Sequence, residues 1–339
     1  MFTSLFGSVE AGVIYAIMAL GVYISFRILD FPDLTVDGSF VTGGAVASVM
    51  IVSGINPFIA TGCAFLAGFL AGCITGLLHT KGKINPLLSG ILMMTALYSV
   101  NLRIMGKPNV PLLAEDTVIT IISKWWNHLR IDQAINHWLE LAGLGAYVPK
   151  TWGIFIIMLV LAYCMKKLID WFMRTEIGLS IRAVGDNENM IKTFSANTDW
   201  LKVLGLGLSN AFVAFSGALI AQYNGFNDIG MGIGMIVIGL ASVIIGEAII
   251  GDKTIIRATA AVIVGAIIYR IIIGLALRIQ FFDTGDMKLI TAAIVVLALI
   301  VPQLIEKYRR HQMKKQRVLM RIRAATDRGE TDAGIKSNL

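Results

Sequence analysis

Residues 57–79 read PFIATGCAFLAGFLAGCITGLLH and contain no Asp, Glu, Lys or Arg. A helix needs about 20 apolar residues to cross the hydrocarbon core of a bilayer, so this run predicts a transmembrane helix. Small residues recur at every fourth position and share one stripe of that helix: Ala60, Ala64, Gly68, Gly72 and Gly76. Small side chains let a second helix approach closely. We therefore expect Gly68, Gly72 and Gly76 to form a helix-packing face.

The rest of the chain repeats this apolar pattern. Eight further runs are similarly hydrophobic: 9–26, 38–53, 86–105, 151–165, 200–222, 231–250, 256–277 and 287–304. Only 15% of the residues are charged, whereas a soluble domain carries about 25%. We predict an all-α fold, a polytopic transmembrane helical bundle of about nine membrane segments. The second run is short and follows a proline, which indicates a broken or re-entrant helix near 31–53.

The positions of Lys and Arg orient the predicted bundle. With the N-terminus outside and the C-terminus inside, nine spans place 21 basic residues in cytoplasmic segments and 7 outside, in line with the positive-inside rule. The chain then divides into a transmembrane domain, 1–305, and a basic cytoplasmic tail, 306–339, which is attracted to anionic lipid. The net charge of +7 lies in patches without an aromatic basic module, so nucleic-acid binding is not expected.

Two polar segments interrupt the runs. The longer one, 106–150, is extracytoplasmic in this orientation. Residues 117–141 within it predict an amphipathic helix with tryptophans suited to a membrane interface: Trp125, Trp126 and Trp138. This helix is either a lid packed at the interface or a docking platform for an external partner, and the two are compatible. The other polar segment, 166–200, is cytoplasmic and punctuated by glycines.

A candidate site lies between the first two runs, in the sequence FPDLTVDGSF at 31–40. Pro32 breaks a helix, and two carboxylates follow it. Transporters often build substrate sites from discontinuous helices, and a carboxylate inside the membrane is costly without a role. Four residues are therefore candidates for a translocation path: Asp33, Thr35, Asp37 and Ser39. The alternative is an aqueous loop in which Asp37 or Ser39 caps the next helix.

Two further groups extend this candidate path. One shares a face of the fourth run and either lines the path or packs in the core: Met94, Tyr98 and Asn101. The other lies in a glycine-rich segment after the sixth run and either borders the path or forms an outside turn: Asn224, Asn227 and Asp228. Arg270, within the eighth run, is close enough to its outer end to snorkel to the interface.

The segment 166–200 resembles the cytoplasmic coupling loop of permeases in the branched-chain amino acid and ribose family of ABC importers. The pattern is carried by Gly178, Arg182, Ala183, Gly185, Asp186, Asn187, Ala196, Asn197 and Thr198. Leu34–Ser39, Asn101–Gly106 and Pro108–Leu112 are similar to one subgroup, amino-acid permeases for which tryptophan or tyrosine is often proposed as the substrate. From composition alone, the segment 166–200 is predicted to be a solvated loop rather than a short helix on the cytoplasmic face.

The resemblance implies that these residues, with Glu176, receive movement from an ATPase. It implies a second permease copy, two cytoplasmic ATPase subunits that hold ATP and Mg²⁺, an extracytoplasmic solute-binding lipoprotein, and a location in the bacterial cytoplasmic membrane. The chain itself is then no enzyme and holds no cofactor or metal, consistent with a sequence that lacks GxxxxGK[ST], HExxH and GxSxG. The expected function is import of a small solute, an aromatic or branched-chain amino acid.

A different class stays open, an ion-coupled secondary transporter or channel that works without an ATPase. Asp33 and Asp37 would then bind coupling ions or protons. A polytopic membrane enzyme is disfavoured, because no nucleophile, base and metal-ligand set converges in the sequence.

Overall fold

The computed structural model describes residues 2–129, 151–193 and 197–276, together with Asp132, Ala293, Val296 and Ile300. The chain divides into two compact units, 1–292 and 293–339, and the elements below belong to the first. Predictions for Ala196, for the tail 306–339 and for most of the run 287–304 lie outside the described residues.

Within these ranges the first unit is built from ten α-helices, one π-helical turn and two short strands. In chain order they are α1 (Phe2–Tyr23), the π-turn (Ile24–Ile28), α2 (Thr35–Val52), α3 (Pro57–Thr80), α4 (Pro86–Met105), β1 (Asn109–Pro111), α5 (Val118–His128), α6 (Gly153–Phe172), α7 (Glu176–Thr193), α8 (Thr198–Asn224), β2 (Phe226–Asp228), α9 (Met235–Ile250) and α10 (Ile255–Ala276).

Six described stretches are long and apolar enough to cross a membrane: Leu5–Ile28, Thr35–Val52, Pro57–Thr80, Pro86–Met105, Thr198–Asn224 and Ile255–Ala276. Helix α9 is apolar but shorter, with 16 residues. Helix α6 has 20 residues and carries three charges near its end. The described part of the chain is therefore a mostly helical bundle with six candidate spans, and the count of nine remains a prediction.

Two helices differ in extent from the predicted runs. Helix α2 runs without a break from Thr35 to Val52. The break predicted near 31–53 therefore lies before Thr35 and not within the helix. It begins early because Asp33 Oδ1 accepts a hydrogen bond from the Thr35 backbone N–H at 2.9 Å. The prediction that Asp37 or Ser39 caps this helix is wrong. Helix α6 continues to Phe172, seven residues past the predicted end at 165.

Helix α8 is the central helix of the unit. Most of its residues are buried, and α1, α2 and α3 all pack against it. The glycine stripe of α3 faces it at backbone distance. A Cβ atom added at Gly72 would lie 2.2 Å from the Leu206 carbonyl oxygen, and Gly68 and Gly76 leave similarly little room against α8. The two helices therefore meet through backbone atoms along the stripe.

We expect Gly72→Ala to destabilise the protein by about 1–3 kcal/mol, because the added methyl group forces α3 away from α8. The matched control is Gly62→Ala on the same helix, where a Cβ atom meets nothing within 4 Å. Alanine there should leave stability unchanged or raise it by about 0.5–1 kcal/mol, since glycine is the poorer helix former. Thermal unfolding in detergent measures both variants, and equal midpoints would contradict the role of the stripe.

A two-stranded sheet makes the fold mostly, rather than entirely, helical. Strand β1 pairs antiparallel with β2, with Val110 opposite Asn227, and joins the segment after α4 to the segment after α8. Helix α5 follows in the chain, packs against α6 and α8, and starts from a capping box at Thr117. The amphipathic helix predicted over 117–141 thus ends at His128 in the described residues, and nearly all of 130–150 lies outside them.

Buried charged side chains on α6 form an ion pair. Lys166 Nζ lies 2.5 Å from Asp170 Oδ2 on α6, with side chains only 6% and 7% exposed. Thr259 on α10 donates to the other carboxylate oxygen at 2.7 Å. The sequence assigned Lys166 to a cytoplasmic loop, and the structure corrects this: Lys166 lies within α6, where it is buried as a pair with Asp170. The Arg270 guanidinium lies 3.9 Å from the centroid of the Tyr15 ring, a cation–π contact.

Candidate functional site

Helix α7 occupies the segment that the composition indicated to be a polar loop. It is kinked at Asn187, which has φ −156° and ψ 92°. The Asn187 side-chain oxygen accepts a hydrogen bond from the Met190 N–H at 3.1 Å and so caps the turn after the kink. The apolar residues of the segment are sparse but buried: Ile181 and Val184 before the kink, and Ile191 after it.

Two glycines bring α7 into backbone contact with neighbouring helix ends. A Cβ atom at Gly185 would lie 1.9 Å from the Ile28 carbonyl oxygen, at the end of the π-turn. A Cβ atom at Gly178 would lie 2.2 Å from the Phe172 carbonyl oxygen, at the end of α6. Backbone therefore meets backbone at both contacts, without a flexible side chain between.

The other side of α7 is exposed and mixes polar with apolar groups. Glu176, Arg182, Asp186 and Asn187 are exposed there, and Ala183 is half-buried. Three large apolar side chains accompany them, each about half exposed: Ile177, Leu179 and Met190. Exposed apolar residues on an otherwise polar helix are typical of a surface that binds another protein.

A groove of about 760 Å³ separates α7 from the connection between α9 and α10. Arg182 and Asp186 line it on the α7 side. Arg27 from the π-turn lies on the other side and forms ion pairs with Glu247 at 3.0 Å and Asp252 at 3.1 Å. The π-turn is therefore tied to the last turn of α9 and to the connection that follows it, as well as to α7. No local sequence pattern marked this ion cluster, because Arg27 is more than 200 positions from both of its partners.

The end of α7 is linked to α8. Glu188 pairs with Lys202 at 2.8 Å and with Lys192 at 3.0 Å. The hydrogen bond from Lys202, reinforced by Lys192, lowers the pKa of the Glu188 carboxyl below its usual range. Asn197 caps α8, since its side-chain oxygen accepts from the Trp200 N–H at 3.1 Å. The ion pair with Lys202 thus links this end of α7 to the central helix.

The second candidate site is a cavity of about 380 Å³ between α2, α4 and the turn before α9. Four predicted path residues line it: Asp37, Met94, Tyr98 and Asn101. The other lining residues are Gly38, Val41, Thr95, Ile229, Gly232 and Ile233. The cavity is mostly apolar, and it brings one carboxylate of the 31–40 segment together with the predicted face of α4.

Asp37 caps a helix far along the chain instead of its own. Its Oδ2 accepts a hydrogen bond from the Gly234 N–H at 2.9 Å, and its Oδ1 accepts one from the Ile236 N–H at 2.8 Å. These amides begin α9, whose N-terminal dipole favours a negative charge. Gly234 has φ +88°, a backbone conformation that favours glycine. Asp37 therefore fixes the start of α9 beside the cavity.

Three predicted path residues lie outside this cavity, in the packing around α2. Asp33 is fully buried, and its Oδ2 accepts from Asn210 Nδ2 on α8 at 2.6 Å. Thr35 Oγ1 lies 2.9 Å from Thr75 Oγ1 on α3. Ser39 is buried, and its hydroxyl has no hydrogen-bond partner among the described residues. Asn210 was not foreseen from the sequence, where it lies among apolar residues.

The glycine-rich segment after α8 contributes different residues from those predicted. Asn224 is exposed at the end of α8, Asn227 is buried in β2, and Asp228 accepts a hydrogen bond from the Gly230 N–H at 2.8 Å. None of these three is among the lining residues given above. The segment lines the cavity through Ile229, Gly232 and Ile233. The sequence analysis selected the polar residues of this turn, but the residues that line the cavity are two isoleucines and a glycine.

Comparison with known proteins finds similar proteins that match most of the chain. The family model for the branched-chain amino acid transport system / permease component matches residues 4–301. The tyrosine transport system permease protein of Clostridioides difficile (strain R20291) is 42% identical, covering 84% of this chain and 86% of that protein. An uncharacterized protein of Rickettsia prowazekii (strain Madrid E) is 33% identical, with 86% and 95% covered. The ribose import permease protein of Escherichia coli (strain K12) is 22% identical, with 88% and 85% covered.

Proposed function

The chain belongs to the branched-chain amino acid transport system / permease component family of ABC transporter permeases, and from this premise we propose that it carries an amino acid into a bacterial cell. ATP is bound and hydrolysed, with Mg²⁺, on partner subunits, and the permease converts their movement into alternating access. The chain is an integral membrane protein, and its proposed location is the cytoplasmic membrane, with the N-terminus outside and the C-terminus inside.

The geometry of α7 is the observation that carries this proposal. An exposed polar and apolar surface on one side of the helix suits a soluble ATPase subunit. The glycine contacts on the other side, at Gly178 and Gly185, suit transmission of force into the membrane helices. A helix that only covered the bundle would need neither the exposed apolar residues nor two backbone contacts. The proposed coupling surface includes Glu176, Gly178, Arg182, Ala183, Gly185, Asp186, Asn187 and Asn197.

The proposed substrate is an aromatic amino acid such as tyrosine or tryptophan, with a branched-chain amino acid as the nearest alternative. The relative from Clostridioides difficile is named for tyrosine transport, and its 42% identity supports a related substrate. The cavity lined by Met94 and Tyr98 is of a size suited to a small solute, since binding cavities are typically about 300–1,000 Å³.

The proposed assembly contains two permease copies, two cytoplasmic ATPase subunits and an extracytoplasmic solute-binding lipoprotein. Helices α3 and α4 expose large apolar side chains that lipid or a second copy would cover: Phe58, Ile59, Leu66, Leu70, Leu87, Leu88 and Leu92. Exposed Leu113 and Trp125, near the strand pair and on α5, are candidates for contact with the lipoprotein.

The test is uptake of radiolabelled L-tyrosine into proteoliposomes that contain the permease, its ATPase subunits and the binding protein. We expect uptake that requires ATP hydrolysis and stops with a non-hydrolysable analogue. Uptake that persists without hydrolysis, or that the permease alone performs, would refute ATP coupling.

A second candidate function, ion-coupled transport without an ATPase, is favoured by one observation. Asp33 is a fully buried carboxylate bound by Asn210 and Thr35, and no ion pair to it is present among the described residues. A carboxylate in such a place is a typical proton site. Vesicles with the permease alone and an imposed pH gradient separate the two functions, because this mechanism predicts uptake there and loss of it in Asp33→Asn.

A further inference from the structure

The cavity between α2 and α4 is lined by side-chain oxygen acceptors of Asp37 and Asn101, and no cationic side chain lines it among the described residues. Asp37 is the charged residue among the described lining residues, which include no Lys, Arg or His. Asn101 is 1% exposed and donates through Nδ2 to the Gly38 carbonyl oxygen at 3.2 Å. Its Oδ1 has no hydrogen-bond partner among the described residues. A buried acceptor left without a donor costs about 1–3 kcal/mol, so this oxygen favours a ligand that supplies one.

We propose that Asp37 and Asn101 bind the ammonium group of the transported solute. This inference rests on the proposed function, because it specifies how that permease recognises its solute. An ammonium group carries three donors and one positive charge, which satisfies the Asn101 oxygen and neutralises Asp37 in an apolar cavity. The solute is then a primary amine with an apolar or aromatic body, which lies against Met94, Tyr98 and Ile233.

The α9 N-terminus extends this site to the carboxylate of an amino acid. The amides of Gly234 and Ile236 now donate to Asp37, and an ammonium group bound to Asp37 competes for the same oxygens. Amides released in this way bind a carboxylate well, since a helix N-terminus favours anions. An amino acid supplies both groups. An acid without the amine instead brings a second negative charge next to Asp37, and an amine without the acid leaves the amides unpaired.

The test measures equilibrium binding to the full-length permease in lipid nanodiscs, without its partners. The probes are L-tyrosine, tyramine and 3-(4-hydroxyphenyl)propionate, which lacks the amine. We expect tyrosine to bind most tightly, tyramine next, and the acid without the amine at least about tenfold more weakly than tyrosine, since a charge-assisted hydrogen bond contributes about 1.5–3 kcal/mol.

Two variants and one control decide the assignment. Asp37→Asn should weaken tyrosine binding at least about tenfold and leave binding of the acid unchanged or stronger, since asparagine keeps an acceptor for one of the two α9 amides but carries no charge. Asn101→Leu should weaken tyrosine in the same selective way without touching the cap that Asp37 forms. The control is Asp116→Asn, which removes the same charge from an exposed pair with Lys124 and should leave the preference unchanged.

Three results would overturn the assignment: equal binding of tyrosine and the acid to the unaltered permease, equal weakening of both by Asp37→Asn, or no saturable tyrosine binding. None of them bears on ATP coupling, which the uptake experiment measures in the complete transporter. Conversely, uptake without ATP hydrolysis would leave the preference for the amine intact, so the two proposals fail separately.

Discussion

Replacing Lys166 by methionine is expected to lower the free energy of unfolding by about 3–5 kcal/mol, the usual cost of breaking a buried ion pair. Methionine fills the volume of the lysine stem but leaves Asp170 as a buried carboxylate whose described partner is Thr259. Thr259, on α10, can still donate to Asp170, so the expected loss comes from the uncompensated charge. Reversible unfolding of the full chain in mixed micelles measures the difference.

Two companion variants identify the cause of this loss. Lys124→Met breaks an ion pair of the same 2.5 Å length to Asp116, with side chains 69% and 65% exposed, and should cost no more than about 1 kcal/mol. The double variant Lys166→Met with Asp170→Asn removes the uncompensated charge and keeps an acceptor for Thr259, so it should recover most of the stability. If Lys166→Met is tolerated as well as Lys124→Met, the buried pair does not stabilise the folded protein.

Gly185→Ala is expected to reduce ATP-driven uptake by about 5–150-fold. Overpacking costs about 1–3 kcal/mol, and a cost of this size lowers the population of the tightly packed arrangement of α7 by that factor. The new Cβ atom would lie 1.9 Å from the Ile28 carbonyl oxygen, so α7 must move away from the π-turn. Hydrolysis by the ATPase subunits should continue, because the exposed side of α7 is unchanged. The measurement is tyrosine uptake per ATP hydrolysed in reconstituted vesicles.

Ser180→Ala on the same helix is the matched control. Its hydroxyl donates to the Glu176 carbonyl oxygen within α7, and its removal adds no volume, so uptake should stay near that of the unaltered protein. The unfolding midpoint of Gly185→Ala separates a loss of coupling from a loss of folding. Normal coupling in a folded Gly185→Ala variant would show that α7 does not need its backbone contact with the π-turn.

Local features of this protein could be predicted from the sequence with good physical grounds. The four-residue spacing of Gly68, Gly72 and Gly76 places them on one stripe by helix geometry alone. Met94, Tyr98 and Asn101 share a face of α4 for the same reason, and all three line one cavity. The helix α7 was missed because its apolar residues are few, so its composition matches that of a solvated loop.

The sequence by itself determined that this chain is a helical membrane protein and which stretches are apolar enough to cross, since hydrophobicity and residue spacing are local properties. Only the tertiary structure decided that Asp37 faces the cavity and Asp33 does not. Asp37 binds amides of Gly234 and Ile236, and Asp33 binds Asn210, across separations of 177 to 199 positions. Two carboxylates four residues apart look alike in sequence, and the helix that packs against each one gives it its role.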